Sequence, residues 1–528
     1  MHRRHRAQFP PELTSLIVDE VLRQTGGNYH DRRQRLLALS LVCRTFHYAA
    51  RRALHSRITF PIYRKAHPLS GERRAEALLI YLLDNVQSLP PIREFSFIYD
   101  LRPQSYWKKG PHTRKENHAD DIWKPQINFL EKVPNPWQAN CLSSLAWYAL
   151  ASAQLHTFTF GAHRHLYSYR HLSEYGYYMG PAMRNNPHLR VLKFRNVENF
   201  PREFVVGPFS STRIRELSFE NAIPDYTGHD RTLQNNDDEV KNALQMFSRL
   251  RTLTMRGTEY EKFLKFLYSC LPVDTAYYND PYRREKARPD PTRYFTNLRT
   301  LTVSVPKVPR GSTLKIKEDT PFSNFMYGIW DAGKLENLTI EDFDDWRPKG
   351  GQSTAKPACV FGMDRLKHLT MACSADNIVM QWKLLKMQAT IDSASYNSST
   401  NEYEDPRIDT ITLDVWFDYL VNAWDKNVPN AQQLLFNPRS PGWDPLDQAL
   451  MNPRLRKLRN INLNLKTYFW REPDPSHPSM TRIENLTLTA RQRVAGYLLP
   501  NASRRRGFSI TFESIYTNMP LDTYLGHP

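Results

Sequence analysis

Residues 298–303 read Leu-Arg-Thr-Leu-Thr-Val, and residues 250–255 read Leu-Arg-Thr-Leu-Thr-Met. The shared phrase, apolar-x-x-apolar-x-apolar, places alternating side chains on one face of a short strand. The phrase recurs through the chain. Upstream it appears as Ile92-Phe95-Phe97, Leu155-Phe158-Phe160, Leu189-Leu192-Phe194 and Ile214-Leu217-Phe219. Downstream it appears as Leu335-Leu338-Ile340, Leu366-Leu369-Met371, Ile408-Ile411-Leu413, Leu458-Ile461-Leu463 and Ile483-Leu486-Leu488. Helical periodicity precedes the first copy at Ala75, Leu78, Leu79, Leu82, Leu83 and Val86, and the Leu250 copy at Val240, Ala243, Leu244 and Phe247. The unit is therefore a helix followed by a strand.

This phrase resembles the strand of leucine-rich repeats. In that family no unit buries its own apolar face, so neighbours stack into a curved solenoid. Copies start from 25 residues apart (189 to 214) to 63 apart (92 to 155), against roughly 20–29 for the regular unit. Long insertions are expected at 100–135, 272–296, 347–357, 393–405 and 427–453, all rich in proline, glycine, asparagine or charge. The fold expected is mixed α+β or α/β, an irregular solenoid of strand-plus-helix units over residues 91–515 with a tail at 516–528.

In such a strand the third, fifth and seventh positions point away from the core, toward the concave face on which these solenoids bind. They read Val191, Lys193, Arg195; Glu216, Ser218, Glu220; Thr252, Thr254, Arg256; Thr300, Thr302, Ser304. Further on they read Asn337, Thr339, Glu341; His368, Thr370, Ala372; Thr410, Thr412, Asp414; Asn460, Asn462, Asn464; and Asn485, Thr487, Thr489. A ladder of threonine and asparagine can donate and accept hydrogen bonds while carrying little charge. It suits a peptide or a polar protein surface, and Thr252, Thr254, Arg256, Thr300, Thr302, Thr339, His368, Thr370, Thr410, Thr412, Asn460 and Asn462 are its candidate target-binding residues. The position after the first apolar residue is basic in Arg93, Arg190, Arg215, Arg251, Arg299, Lys367 and Arg459. Stacking would align these into a stripe able to receive an acidic or phosphorylated target.

Ahead of the repeats, Phe9-Pro10-Pro11-Glu12-Leu13 opens an amphipathic helix whose apolar face is Leu13, Leu16, Ile17, Val21 and Leu22. After a polar loop at Thr25–Asn28 come Leu36, Leu37, Leu39, Leu41, Val42, Phe46, Ala49 and Leu54, spread over two more short helices. About 50 residues is near the lower limit for independent folding, so surplus apolar side chains call for a partner. The segment 8–60 resembles an F-box, most specifically in Leu39-Ser40-Leu41-Val42-Cys43-Arg44-Thr45-Phe46. It departs in carrying Phe9 for the usual opening leucine, Phe46 for the frequent tryptophan, and a longer loop at 28–33. The resemblance implies docking onto the Skp adaptor of a cullin-type ubiquitin ligase through Phe9, Pro10, Pro11, Glu12, Leu13, Ile17, Leu39, Val42, Cys43 and Phe46. Residues 61–90 then form a connecting helix and the first repeat helix.

Composition sets outer bounds. The 528 residues are 40% hydrophobic and 12% aromatic, enough for a sizeable core, and no stretch approaches the roughly 18 apolar residues of a membrane helix. A soluble chain is expected. The basic start Met1–Arg6 runs into a proline-led helix, not a signal-peptide core. The five scattered cysteines read as reduced and intracellular, in cytoplasm or nucleus. With 72 Lys+Arg against 54 Asp+Glu, the +18 balance attracts acidic partners of any kind.

Other motifs do not hold. In Gly350–Pro357, Ala355 replaces the second glycine of a phosphate loop and Pro357 its Ser/Thr. His156, His163, His165, His171 and Cys141 fit no zinc spacing, and the acidic run Glu341–Asp345 lacks the turn glycine of a calcium loop. No nucleophile elbow or Cys/His signature is present. A non-catalytic substrate receptor without metal or cofactor is expected, with an adaptor, a cullin and a target protein as partners. Membrane, nucleic acid and an obligate homo-oligomer are not expected. Two alternatives stand beside this: a scaffold outside any ligase, and a basic nucleic-acid or chromatin binder pointed to by Arg491, Arg493 and Arg504–Arg506.

Overall fold

The computed structural model describes residues 11–24, 29–63, 68–84, 91–100, 154–162, 167–168, 186–200, 213–224, 245–256, 295–304, 334–341, 365–374, 396–397, 402–403, 405–418, 443–469 and 488–516. It also describes isolated positions at 145, 149, 329, 384, 387–388 and 390–392. The chain divides into two compact units, Met1–Ile214 and Arg215–Pro528.

The first unit opens with three helices, α1 (Pro11–Gln24), α2 (Tyr29–Ser40) and α3 (Arg44–Ser56). Among the described residues their shared core comprises Val18, Leu36, Phe46 and Ala50, flanked by partly buried Leu39, Ala49, Ala53 and Leu54. In α1 the inward residues are Thr14 and Val18, one turn apart, whereas Leu13, Leu16 and Ile17 of the expected apolar face stay exposed. The helix thus has two apolar sides, and the neighbouring helices cover only one. A fourth helix, α4 (Pro68–Asp84), meets α3 through Tyr81, whose ring lies 5.6 Å from that of His55 and whose hydroxyl accepts from Arg51 at 3.2 Å. Burial of its ring and the nearby Arg51 charge lower the pKa of His55.

Helix α3 ends at Ser56, and strand β1 (Arg57–Tyr63) begins inside the stretch expected to finish the helical module. The alternation Ile58-Phe60-Ile62 explains the switch, since its period of two serves a strand. Strand β1 pairs in parallel with β2 (Glu94–Asp100), then come β3 (Thr157–Ala162) and β5 (Val191–Phe200), with the short β4 (Tyr167–Ser168) beside the far end of β5. Phenylalanines stack across this sheet. Phe60, Phe97 and Phe160 follow at centroid distances of 5.6 and 6.3 Å, and Phe95 lies parallel to Phe158 at 6.2 Å.

The second unit continues the pattern with its own parallel strands, β6 (Glu216–Pro224), β7 (Thr252–Arg256), β8 (Thr300–Ser304), β9 (Asn337–Glu341), β10 (His368–Ser374), β13 (Thr410–Asp418), β14 (Asn460–Phe469) and β15 (Phe508–Tyr516). A separate antiparallel pair joins β11 (Tyr396–Asn397) to β12 (Glu402–Tyr403) within the expected 393–405 insertion. The register is uniform: Leu253 pairs with Leu301, Leu301 with Leu338, Leu338 with Leu369, Leu369 with Ile411 and Ile411 with Ile461. All are buried, as are Leu250, Leu298, Leu335, Leu366, Ile408 and Leu458 at the head of each phrase. Each such side chain contributes about 1.5–3 kcal/mol on burial.

A further buried position lies three residues ahead of the phrase. The amides of Leu250, Leu298 and Leu458 donate to the carbonyls of Phe247, Phe295 and Leu455, and the Phe247 and Phe295 rings meet at 5.5 Å. In the first unit Asn186 holds this place, its side-chain oxygen accepting from the amides of His188 and Leu189 at 2.9 Å. The position lies just outside the apolar phrase, and one of its holders is polar.

Two segments differ from expectation. Of the phrase at Ile483–Leu488 only Leu488 lies within the described residues, and it is helical. Leu488–Leu498 forms α6, with Thr489 inside it, while Asn485 and Thr487 lie outside the described residues. The closing strand is β15, where Phe508, Ile510 and Phe512 alternate after Gly507. Likewise 427–453 is not purely an insertion, because Trp443–Leu450 forms α5 with Trp443, Leu446, Asp447, Ala449 and Leu450 buried. Its proline, Pro445, falls in the first turn, where a helix tolerates it. Among the described residues no helix is long and apolar enough to cross a membrane.

Candidate binding surfaces

The three-helix module leaves a large apolar ridge uncovered. Exposure is 48% for Leu13, 64% for Leu16, 37% for Ile17, 86% for Leu41 and 65% for Val42, with Leu37 and Tyr48 also open. Leu41 and Val42 are held on the turn between α2 and α3 by backbone bonds of 3.1 Å to Ala38 and Leu39. Cys43, at the N-cap of α3, carries a free exposed thiol whose pKa is lowered chiefly by the Phe46 amide.

Of the ten residues expected to grip an adaptor, Leu13, Ile17, Val42 and Cys43 are accessible and Leu39 is partly buried against the module's core. Phe46 departs from the expectation. At 5% exposure it belongs to that core, because α1 and α2 close over the inward face of α3. Phe9 and Pro10, and the side chains of Pro11 and Glu12, lie outside the described residues.

On the face of the second unit away from its core, register aligns three rows. The first is Glu216, Thr252, Thr300, Asn337, His368, Thr410 and Asn460, and the second is Ser218, Thr254, Thr302, Thr339, Thr370, Thr412, Asn462 and Ser509. At the C-terminal end the ladder is knitted to itself. Asn460 donates to Thr410 at 3.3 Å, Asn462 to Thr412 at 3.2 Å, and Ser509 to Asn462 at 2.8 Å; further up, Asn337 donates to Thr300 at 3.2 Å. In the middle of the second row Thr254, Thr339 and Thr370 are half-buried, and among the described residues their hydroxyls make no side-chain bond. Thr302 beside them is buried.

The third row carries charge that the threonine pattern concealed. Arg256 reaches past the small Ser304 to pair with Glu341 at 2.6 Å, and Asp414 accepts from Asn464 at 2.7 Å and from Lys466 at 2.8 Å. Burial raises the pKa of Glu341, Arg256 opposes that rise, and Glu220 and Asp414 add to it. The folded state therefore binds the proton of Glu341 more tightly than the unfolded chain does. Its contribution to stability is present below the unfolded value and is lost as pH rises through the folded one. Glu341→Gln is expected to flatten the decline in stability on the alkaline side of the ordinary glutamate pKa. Urea midpoints measured across pH 4–7 check this, and parallel wild-type and variant curves would refute it.

The basic stripe forms only in part. In the second unit, backbone bonds of 2.8–2.9 Å order these positions as Arg215, Arg251, Arg299, Glu336, Lys367, Asp409 and Arg459. Glu336 and Asp409 therefore break the stripe, and Glu336 lies 3.8 Å from Arg299 and 3.5 Å from Lys367. His368 faces Asp409 at 3.3 Å. Arg505 donates to the Leu450 carbonyl at 3.1 Å, so the Arg504–Arg506 run is partly a structural clasp. Among the described residues no group of three or more His, Cys, Asp or Glu side chains could hold a metal ion.

The fold and surfaces define a mixed α/β chain of open, in-register parallel strands with an N-terminal helical module. Comparison with models of known protein families and with curated proteins finds no match for the chain.

Proposed function

We propose that the chain is a substrate receptor of a Skp–cullin–F-box ubiquitin ligase, its helical module an F-box and its stacked strands a leucine-rich-repeat body that holds the target. One observation carries this proposal: Leu13, Leu16, Ile17, Leu41 and Val42 remain exposed on a module whose core, among the described residues, is formed by Val18, Leu36, Phe46 and Ala50. Isolated exposed apolar residues are ordinary, but five large ones on one short three-helix module, three on α1 and two on the α2–α3 turn, mark a protein contact. Burying them against an adaptor supplies the affinity, and ubiquitin transfer to a target held on the ladder follows from proximity. Among the described residues the central hydroxyls of Thr254, Thr339 and Thr370 make no side-chain bond and have hydrogen-bonding capacity for a target.

The experiment is affinity purification of the intact protein from cells. Adaptor and cullin are expected to accompany the wild type, and Leu13→Asp with Val42→Asp is expected to reduce their recovery at least about tenfold, from the loss of two anchors. Both side chains are exposed, so the variant keeps its core. Unchanged recovery overturns the proposal, and adaptor without cullin points instead to a scaffold outside a ligase.

A further inference from the structure

At one edge of the first unit, basic side chains converge on an open recess of about 580 Å³. Three of them come from the position after the first apolar residue of successive phrases. The amide of His156 donates to the Arg93 carbonyl at 2.7 Å and that of Arg190 to the His156 carbonyl at 2.9 Å, so Arg93, His156 and Arg190 stand side by side, each just ahead of one of the adjacent strands β2, β3 and β5. Their backbones are then about 4.8 Å apart. His188 adds a further imidazole and Arg57 a third guanidinium.

Among the described residues the acidic counterweight within this recess is Glu94, and it is taken up by Arg57 at 3.2 Å. Arg190 is aimed by its own backbone, donating to the carbonyls of Pro187 and Leu189 at 2.9 and 3.1 Å. His156 directs Nδ1 at the Thr157 hydroxyl at 3.3 Å, which leaves Nε2 for another partner. Arg93 is exposed and has no carboxylate partner among the described residues. The second unit offers a contrast, because its equivalent row breaks its own positive run with Glu336 and Asp409. The first unit does not, and like charges brought together cost stability unless something anionic relieves them.

We propose that this recess binds a phosphate monoester dianion, with Arg93 and Arg190 as its principal donors and His156 and His188 completing the shell. A fork of guanidinium donors matches the spread of oxygens on a phosphoryl group, and two such forks favour two negative charges over one. The proposal stands apart from adaptor docking, since none of these residues belongs to the three helices.

The test uses the full-length protein. Inorganic phosphate at a few millimolar, below the range where salts act by exclusion from the surface, is expected to raise the thermal midpoint above that in chloride of equal ionic strength. Arg93→Glu and Arg93→Gln are expected to weaken phosphate binding about tenfold or more, with unchanged circular dichroism and adaptor recovery. A phosphoserine peptide separates the sources. Tighter binding than free phosphate, absent in the unphosphorylated peptide, identifies a phosphorylated protein ligand, and equal binding identifies a free phosphate ester. The proposal is overturned if phosphate does no more than chloride, if both Arg93 variants bind it like the wild type, or if single-stranded DNA lacking terminal phosphate competes better than phosphate.

Discussion

Asp447→Ala is expected to cost about 3 kcal/mol and to loosen the C-terminal end of the second unit before the rest. Asp447 is 1% exposed, and its carboxylate accepts three bonds from one turn: the Asn501 amide at 3.0 Å, the Asn501 side chain at 2.8 Å and the Ala502 amide at 2.8 Å. That turn leads from α6 through the 3₁₀ segment Ala502–Arg504 into β15. Removing the acceptor strands the buried Ala502 amide, which is costlier than its bond is favourable, and frees the Asn501 donors to water. Asp447→Asn keeps one acceptor oxygen and is expected to lose about half as much. Hydrogen exchange at the Ala502 amide reads the local effect, and a wild-type rate in Asp447→Ala would refute it.

The second large effect is expected at Gly507, where the chain enters β15. A Cβ there would overlap the carbonyl oxygen of Arg459, while the Gly507 carbonyl itself accepts from Ile461 at 3.0 Å. Neither atom can yield, because both belong to backbone fixed by the ladder. Gly507→Val is expected to destabilise by about 3 kcal/mol through this overlap and the strand shift it forces. Gly496 is the matched control, since nothing lies within 4 Å of a Cβ added there. Gly496→Ala is expected to be neutral or slightly stabilising as a helix-interior substitution. Equal urea midpoints for Gly507→Val and Gly496→Ala would refute the assignment.

Much of the strand stack was legible because its signal is local. Leu298, Leu301 and Val303 name the strand, its buried face and its register in a six-residue phrase. The threonine ladder followed from the same alternation, as did Arg256 as an outward residue. What escaped were features that depend on elements far apart in the chain. The pairing of Arg256 with Glu341 needs three strands in line and a serine small enough to reach across. The interruption of the basic stripe by Glu336 and Asp409 emerges only when backbone bonds set the order of the rows. The phrase at Ile483–Leu488 shows the limit of so short a signal: an apolar phrase of that length fits helix and strand alike, and Leu488, the part of it within the described residues, opens a helix.

By itself, then, the sequence determined which side chains alternate toward a core, where the helical module lies, and that the chain is basic overall. Alternation and charge belong to single residues and their near neighbours, so no fold is needed to see them. Only the tertiary structure decided that α1 turns Val18 inward and leaves Leu13, Leu16 and Ile17 outside, that Phe46 serves the module's own core, and that Arg93, His156 and Arg190 share one recess. Burial and convergence are properties of what packs against what, and that is set by distant segments competing for the same apolar surface.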